Sequence, residues 1–133
     1  LLIVAGHVPE DQRKMDSSIV YFGDLNQTQL YSLYKASKYF LHLAWLDHCP
    51  NVVVDARACG CHIICSSAGG TQEIAGPNST IIEEEKWNYI PISLYDPPKM
   101  DFTKKKKNKF DTCYDINIVA EEYKQFMERI ICQ

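Results

Sequence analysis

The sequence has no apolar run approaching the roughly 18 residues of a membrane-spanning helix, so it does not read as an integral membrane segment. It has no strong charge of either sign: 14 Lys and Arg against 17 Asp and Glu leave a net −3. That excludes a surface built to coat nucleic acid or an anionic membrane. No basic stretch followed by an apolar segment and a small-residue cleavage site opens the chain, so no secretory leader is read. A Cys-x2-Cys pair, the usual zinc knuckle, is also lacking. The nearest approach to a metal cluster is Cys59, Cys61, His62 and Cys65, whose spacing makes a small zinc-binding module the weaker reading.

What is present is ordinary for a globular domain: 133 residues, 46% hydrophobic and 23% charged, enough for one domain with a real core. The six cysteines sit mostly in apolar runs, as small buried hydrophobes do in a reducing compartment, which places the chain in the cytoplasm. The same argument discounts the glycosylation patterns at Asn26 and Asn78. The chain opens on "LLIVAG", which reads as a buried strand. A domain seldom begins inside its core, so the chain is expected to be part of a longer protein.

Apolar runs alternate with helical spacing over residues 1–82. "LLIVAG", "IVYFG", "YFLHLAW", "CHIIC" and "STIIE" read as five strands. "NQTQLYSLYKASK" carries Leu30, Leu33 and Tyr34 at helical spacing. "PNVVVDARACG" has proline at a helix start and glycine at its end, and "TQEIAG" reads as a short helix. The expectation is an α/β, Rossmann-like three-layer sandwich, its mostly parallel sheet covered on both faces. Residues 83–114 break the pattern and read as an irregular surface excursion, with the lysine run at 104–109 a solvated loop. Residues 115–132 read as a closing helix whose Val119, Tyr123, Phe126, Met127 and Ile130 dock on something apolar.

In open parallel sheets ligands bind beyond the carboxyl ends of the strands. Two segments leave such ends and run into helices: "LDHCPN" and "SSAGGTQE". With Pro50 as the first helical residue, the N–H groups of Asn51 and Val52 are free for an anion. Asn51, Asp55 and Cys59 share one helix face. Asp55, one turn from the helix start, suits a ribose diol, and Asp47 in the loop suits another hydroxyl. Spacing alone equally allows Asp47 as a cap and Asp55 as a surface charge. Gly69 and Gly70 either admit a ligand to the backbone or only turn the chain. Glu73 either bonds a ligand or favours its helix's first turn. Of the histidines His7, His42, His48 and His62, only His48 stands beside this site in sequence. Trp87, Tyr89 and Tyr95 suit either an acceptor path or packing of the excursion.

The stretch "LDHCPNVVVDARACGCHIICSSAGGTQEIAG" resembles the donor-binding segment of GT-B glycosyltransferases. It is most similar to the large retaining, family 4-like group (glycosyl transferases group 1), which carries a Glu-x7-Glu motif. In that group the stretch typically reads E-G-F-P-N-V-L-L-E-A-M-A-C-G-x-P-V-I, followed by a Gly-Gly turn and a Glu. Pro50, Asn51, Val52, Ala56, Cys59, Gly60, Ile63, Gly69, Gly70 and Glu73 fall in place. Both motif acids appear here as aspartate, Asp47 and Asp55, each one methylene shorter.

The resemblance implies that Asp47, His48, Cys49 and Pro50 border the donor sugar. It puts backbone groups of Asn51, Val52, Gly69 and Gly70 on the diphosphate and Asp55 on the ribose, with Glu73 supporting. It implies a UDP-, GDP- or ADP-sugar donor, no required metal or cofactor, and a glycan, lipid or other hydroxyl acceptor, with room for peripheral membrane contact. The family's basic diphosphate ligands and its N-terminal acceptor domain have no counterpart in these residues. The chain alone is therefore expected to be inactive, with a non-catalytic binding or scaffold module as the alternative.

Overall fold

The computed structural model describes residues 1–93, 96–112 and 115–131. Its order is β1 (Leu2–Ala5), a 3-10 turn (Glu10–Gln12), β2 (Ile19–Gly23), α1 (Gln27–Ala36), β3 (Tyr39–His42), α2 (Asn51–Ala58) and β4 (His62–Ser66). It continues with α3 (Thr71–Ile74), β5 (Thr80–Glu84), β6 (Met100–Lys107) and α4 (Ile116–Ile131). The architecture is α/β and Rossmann-like, with mostly parallel strands.

Local chemistry sets the helix ends. Asn26 opens α1 with a capping box: its side chain accepts from the Gln29 N–H while Gln29 Oε1 accepts from the Asn26 N–H. Pro50 is the cap of α2 rather than its first residue, one position earlier than expected. Gly60 ends α2 at φ +92°, a left-handed conformation that favours glycine.

The strands pair differently from the single sheet expected. β1 and β2 form a parallel two-stranded sheet, and β3-β4-β5-β6 a separate four-stranded one. In the larger sheet the register aligns Phe40 with Ile63 and Cys65 with Ile81. These side chains share the face that packs with Val53 and Ala56 of α2, Tyr34 of α1 and Ala75. Val53, Ala56, Cys65 and Ile81 are fully buried. The opposite face is less covered at β3, where Tyr39 and Leu41 stand half exposed.

The excursion at 83–114 is not irregular throughout. β6 runs antiparallel to β5, with Thr80 opposite Lys107 and Glu84 opposite Met100. The lysine run is thus mostly strand rather than loop. Its lysines stay in solvent, Lys104 paired with Asp101 at 3.2 Å and Lys106 with Glu83 at 3.6 Å. Lysines along an unpaired edge discourage further strand addition. Asn108, buried, anchors the end of β6: its side-chain amide donates to the carbonyls of Gln72 and Gly76. α4 forms where expected but does not dock: no residue of it is buried, and Ile116, Tyr123, Phe126, Met127 and Ile130 are exposed.

Candidate functional site

The loops after β3, β4 and β5 leave the carboxyl ends of parallel strands, and hydrogen bonds tie these ends together. Ser66 Oγ donates to the Ala44 carbonyl at 3.1 Å, and the Glu84 N–H donates to Ser67 Oγ at 3.0 Å. Trp45, in the loop after β3, meets Trp87 beyond β5 edge-on at 5.4 Å between centroids, and Trp87 meets Tyr89 at 5.1 Å. Tyr95, the third aromatic expected there, lies outside the described residues.

Asp47 sits in the first loop, with its side chain about a third exposed. Its Oδ2 lies 3.1 Å from His42 Nε2. The sequence reading held His42 to be structural; the structure makes it the partner that orients Asp47. The usable signal was its position at the end of β3, five residues ahead of the acid. His48 and Cys49, which follow Asp47, are exposed, and Pro50 is buried.

α2 begins without a side-chain cap. Its first intrahelical bond runs from the Val53 N–H to the Pro50 carbonyl at 2.9 Å. The N–H groups of Asn51 and Val52 form no hydrogen bond with the described residues. They are the orphan donors of a helix start, which carries a partial positive charge. Asp55 lies one turn along, roughly 6 Å by helical rise. Its carboxylate forms no hydrogen bond or ion pair with the described residues. It stands close enough to the buried Tyr34 phenol that its charge, after burial itself, pushes that phenol above its ordinary range. The Asn51–Asp55–Cys59 face is therefore turned toward α1.

The two glycines do something neither sequence reading specified. A Cβ on Gly69 would run into the carbonyl oxygen of Asp47, and one on Gly70 into that of His48. They let the loop after β4 lie flat against the loop that carries Asp47. The Gly70 N–H donates to the Asp47 carbonyl at 2.9 Å, and Thr71 Oγ1 reaches the same oxygen at 3.4 Å. The Gly70 N–H is thereby spent on positioning and is not left for a diphosphate. Gly69 adopts φ +72°. Glu73 is exposed on the single turn of α3, its N–H bonded to the Gly70 carbonyl.

Glu84 was not singled out from sequence. Its Oε2 is buried with no hydrogen-bond partner among the described residues. Burial lifts its carboxyl above the usual range, against a hydrogen bond from Ser66 that draws it down. No local pattern marks it, because its burial comes from the β4–β5 packing.

The residues of the zinc alternative are not brought together. Cys61 and Cys65 are buried on the core face, and the Cys61 thiol donates to the Tyr34 carbonyl at 3.1 Å. His62 alternates to the other face of β4, where Nε2 lies 2.9 Å from Thr80 Oγ1. Among the described residues no three His, Cys, Asp or Glu side chains are grouped to hold an ion.

A helix start with free N–H groups, flanked by two carboxylates at the carboxyl edge of a parallel sheet, defines a domain suited to a phosphate-bearing, hydroxyl-rich ligand. Comparison with known proteins gives the family. The pattern described as "Glycosyl transferases group 1" matches residues 3–90, most of the chain, and the chain belongs to that family. No curated protein and no solved structure matches it. Membership establishes glycosyl transfer as the general chemistry and a nucleotide-sugar as the donor class. Among the described residues no helix is long and apolar enough to cross a membrane.

Proposed function

We propose that this chain forms the donor side of a retaining GT-B glycosyltransferase, binding a UDP-, GDP- or ADP-sugar at the carboxyl edge of β3 and β4. The observation that carries the reading is the unpartnered pair of N–H groups at Asn51 and Val52, placed between Asp47 and Asp55. In this reading the diphosphate sits at the α2 start. The helix dipole and the Asn51, Val52 and Gly69 N–H groups stabilise the charge that grows on the leaving diphosphate as the glycosidic bond breaks. Asp47 accepts a hydrogen bond from a sugar hydroxyl through Oδ1 while His42 holds Oδ2. Asp55 accepts from the ribose diol. His48, Cys49 and Pro50 border the sugar, and Glu73 supports the loop. The acceptor, a glycan, lipid or other hydroxyl compound, is bound by a separate domain of the same protein, and residues 1–133 alone do not turn over.

The test is titration with UDP, GDP and ADP while following the amide signals of Asn51 and Val52. One of the three nucleotides shifts both. Asp55→Asn then weakens that nucleotide by on the order of 10-fold, the loss of a hydrogen bond to a charged acceptor. Unmoved amides with all three nucleotides sink the reading. The scaffold-module reading is favoured by aspartate at both motif positions. Sugar transfer by the complete protein, abolished in Asp47→Ala, removes it.

A further inference from the structure

Between the two sheets lies a slot of about 890 Å³, with β1 on one side and β3 on the other. Side chains of α1 and α2 also line it, Leu30, Leu33 and Val52 among them, facing Leu2, Val4 and Phe40. Of its lining residues only Asp24 and Lys38 are charged.

Both strands turn an unpaired backbone edge to this slot. The Leu2 N–H bonds to the Ser18 carbonyl, so Leu2 and, two residues on, Val4 face β2, and Ile3 faces away from it. The His62 N–H bonds to the Lys38 carbonyl, so Lys38, Phe40 and His42 face β4, and Tyr39 and Leu41 face away from it. The main-chain groups of Ile3, Tyr39 and Leu41 have no partner among the described residues. The route from β2 through α1 to β3 is the crossover that joins parallel strands.

The slot has the capacity of one strand. A strand within a packed sheet takes about 4.8 Å between neighbours, about 10 Å between layers and about 3.3 Å per residue, roughly 160 Å³ for each residue. At that rate 890 Å³ holds roughly five or six residues, comparable to β1 and β3 with four each.

We propose that the slot receives one β-strand from a part of the same polypeptide outside residues 1–133, hydrogen-bonded to β1 and β3 at once. The occupant has both edges free and is apolar on both faces, as a central strand of a parallel sheet is. A folded second copy offers no such strand, because every strand described here already pairs with a neighbour. With the strand seated, the two sheets become one, and the half-exposed Leu2, Tyr39 and Leu41 gain a neighbour. The proposal does not depend on the sugar-transfer reading.

The experiment is amide hydrogen exchange on the protein made from its complete reading frame, without nucleotide. The expected result is protection of Ile3, Tyr39 and Leu41 comparable to that of Phe40 and Ile63, on the order of 1,000-fold above loop amides. Exchange of these three at loop rates overturns the proposal, as does a reading frame that adds no residues. Protection that grows with protein concentration assigns the slot to a second copy and also overturns it.

Discussion

Replacing Gly70 by alanine isolates the contact between the two loops of the site. The backbone of Gly70 is ordinary, at φ −89°, so alanine costs nothing in conformation there. The whole penalty is the collision of a Cβ with the His48 carbonyl oxygen, its carbon only 3.1 Å away. Both partners are backbone, so neither can swing aside as a flexible side chain does. Overpacking of this kind costs about 2 kcal/mol. Any separation of the loops also lengthens the Gly70 N–H bond to Asp47, adding about 1 kcal/mol. Gly69→Ala meets the Asp47 backbone in the same way and adds the left-handed φ of +72°, a further ~1 kcal/mol. The expected losses are therefore about 3 kcal/mol for Gly70→Ala and about 4 for Gly69→Ala. Urea unfolding measures both; Trp45 and Trp87 flank the site and report its loss by fluorescence. With a slope of about 2 kcal/mol/M, the Gly70→Ala midpoint falls by about 1.5 M. If Gly70→Ala shifts it by less than about 0.3 M while Gly69→Ala loses about 1 kcal/mol, only the backbone angle matters and the loop-contact argument is wrong.

Glu84→Gln raises stability at pH 7 by about 1 kcal/mol, because it removes a buried carboxylate oxygen that has no partner. Burial raises the Glu84 pKa in the fold, so the wild type is favoured below the ordinary glutamate value and loses stability as pH rises through the lifted one. Chemical denaturation from pH 4 to 8 should show that decline in the wild type and a flatter profile in the variant. Burial pushes the Cys65 thiol up to about 11, and Cys49 is exposed. Under native conditions at pH 8 a maleimide should modify Cys49 and leave Cys65 untouched until unfolding, as read by peptide mass spectrometry. Asn108→Ala deletes two hydrogen bonds to backbone carbonyls and should cost about 2 kcal/mol, with faster hydrogen exchange along β6 before any other strand.

What was legible in the sequence is what local signals encode. Pro50 and Gly60 bracket α2 to within a residue, because a proline cap and a left-handed glycine act on their own neighbours. β6 was missed because "KMDFTKKKKNKF" has no apolar alternation; its strand state comes from pairing with β5, more than 15 residues away. The division into two sheets was equally hidden, since periodicity identifies strands but not their partners. In the site, the helix-start donors followed from chain order. The role of Gly69 and Gly70 did not, because the carbonyls they clear belong to a loop more than 20 residues upstream. α4 shows the limit of amphipathic pattern: an apolar stripe implies a cover, yet the cover need not lie in the same residues.

The aspartates at positions 47 and 55 are best understood through what holds each one. Asp47 is fixed twice, its carboxylate by His42 and its carbonyl by Gly70 and Thr71. An acid anchored this way gains orientation at the expense of reach. An added methylene, about 1.5 Å, would carry the carboxylate past His42 or fold it back toward the loop. Asp55 has no such partner; beside the buried Tyr34, its short side chain keeps the charge close to α2. The two substitutions of Asp for the family's Glu are therefore unequal. At 47 the shorter acid comes with a compensating histidine, whereas at 55 nothing in the described residues restores the lost reach. A nucleotide ribose must approach α2 more closely to meet Asp55, and the exposed start of that helix leaves room for it to do so.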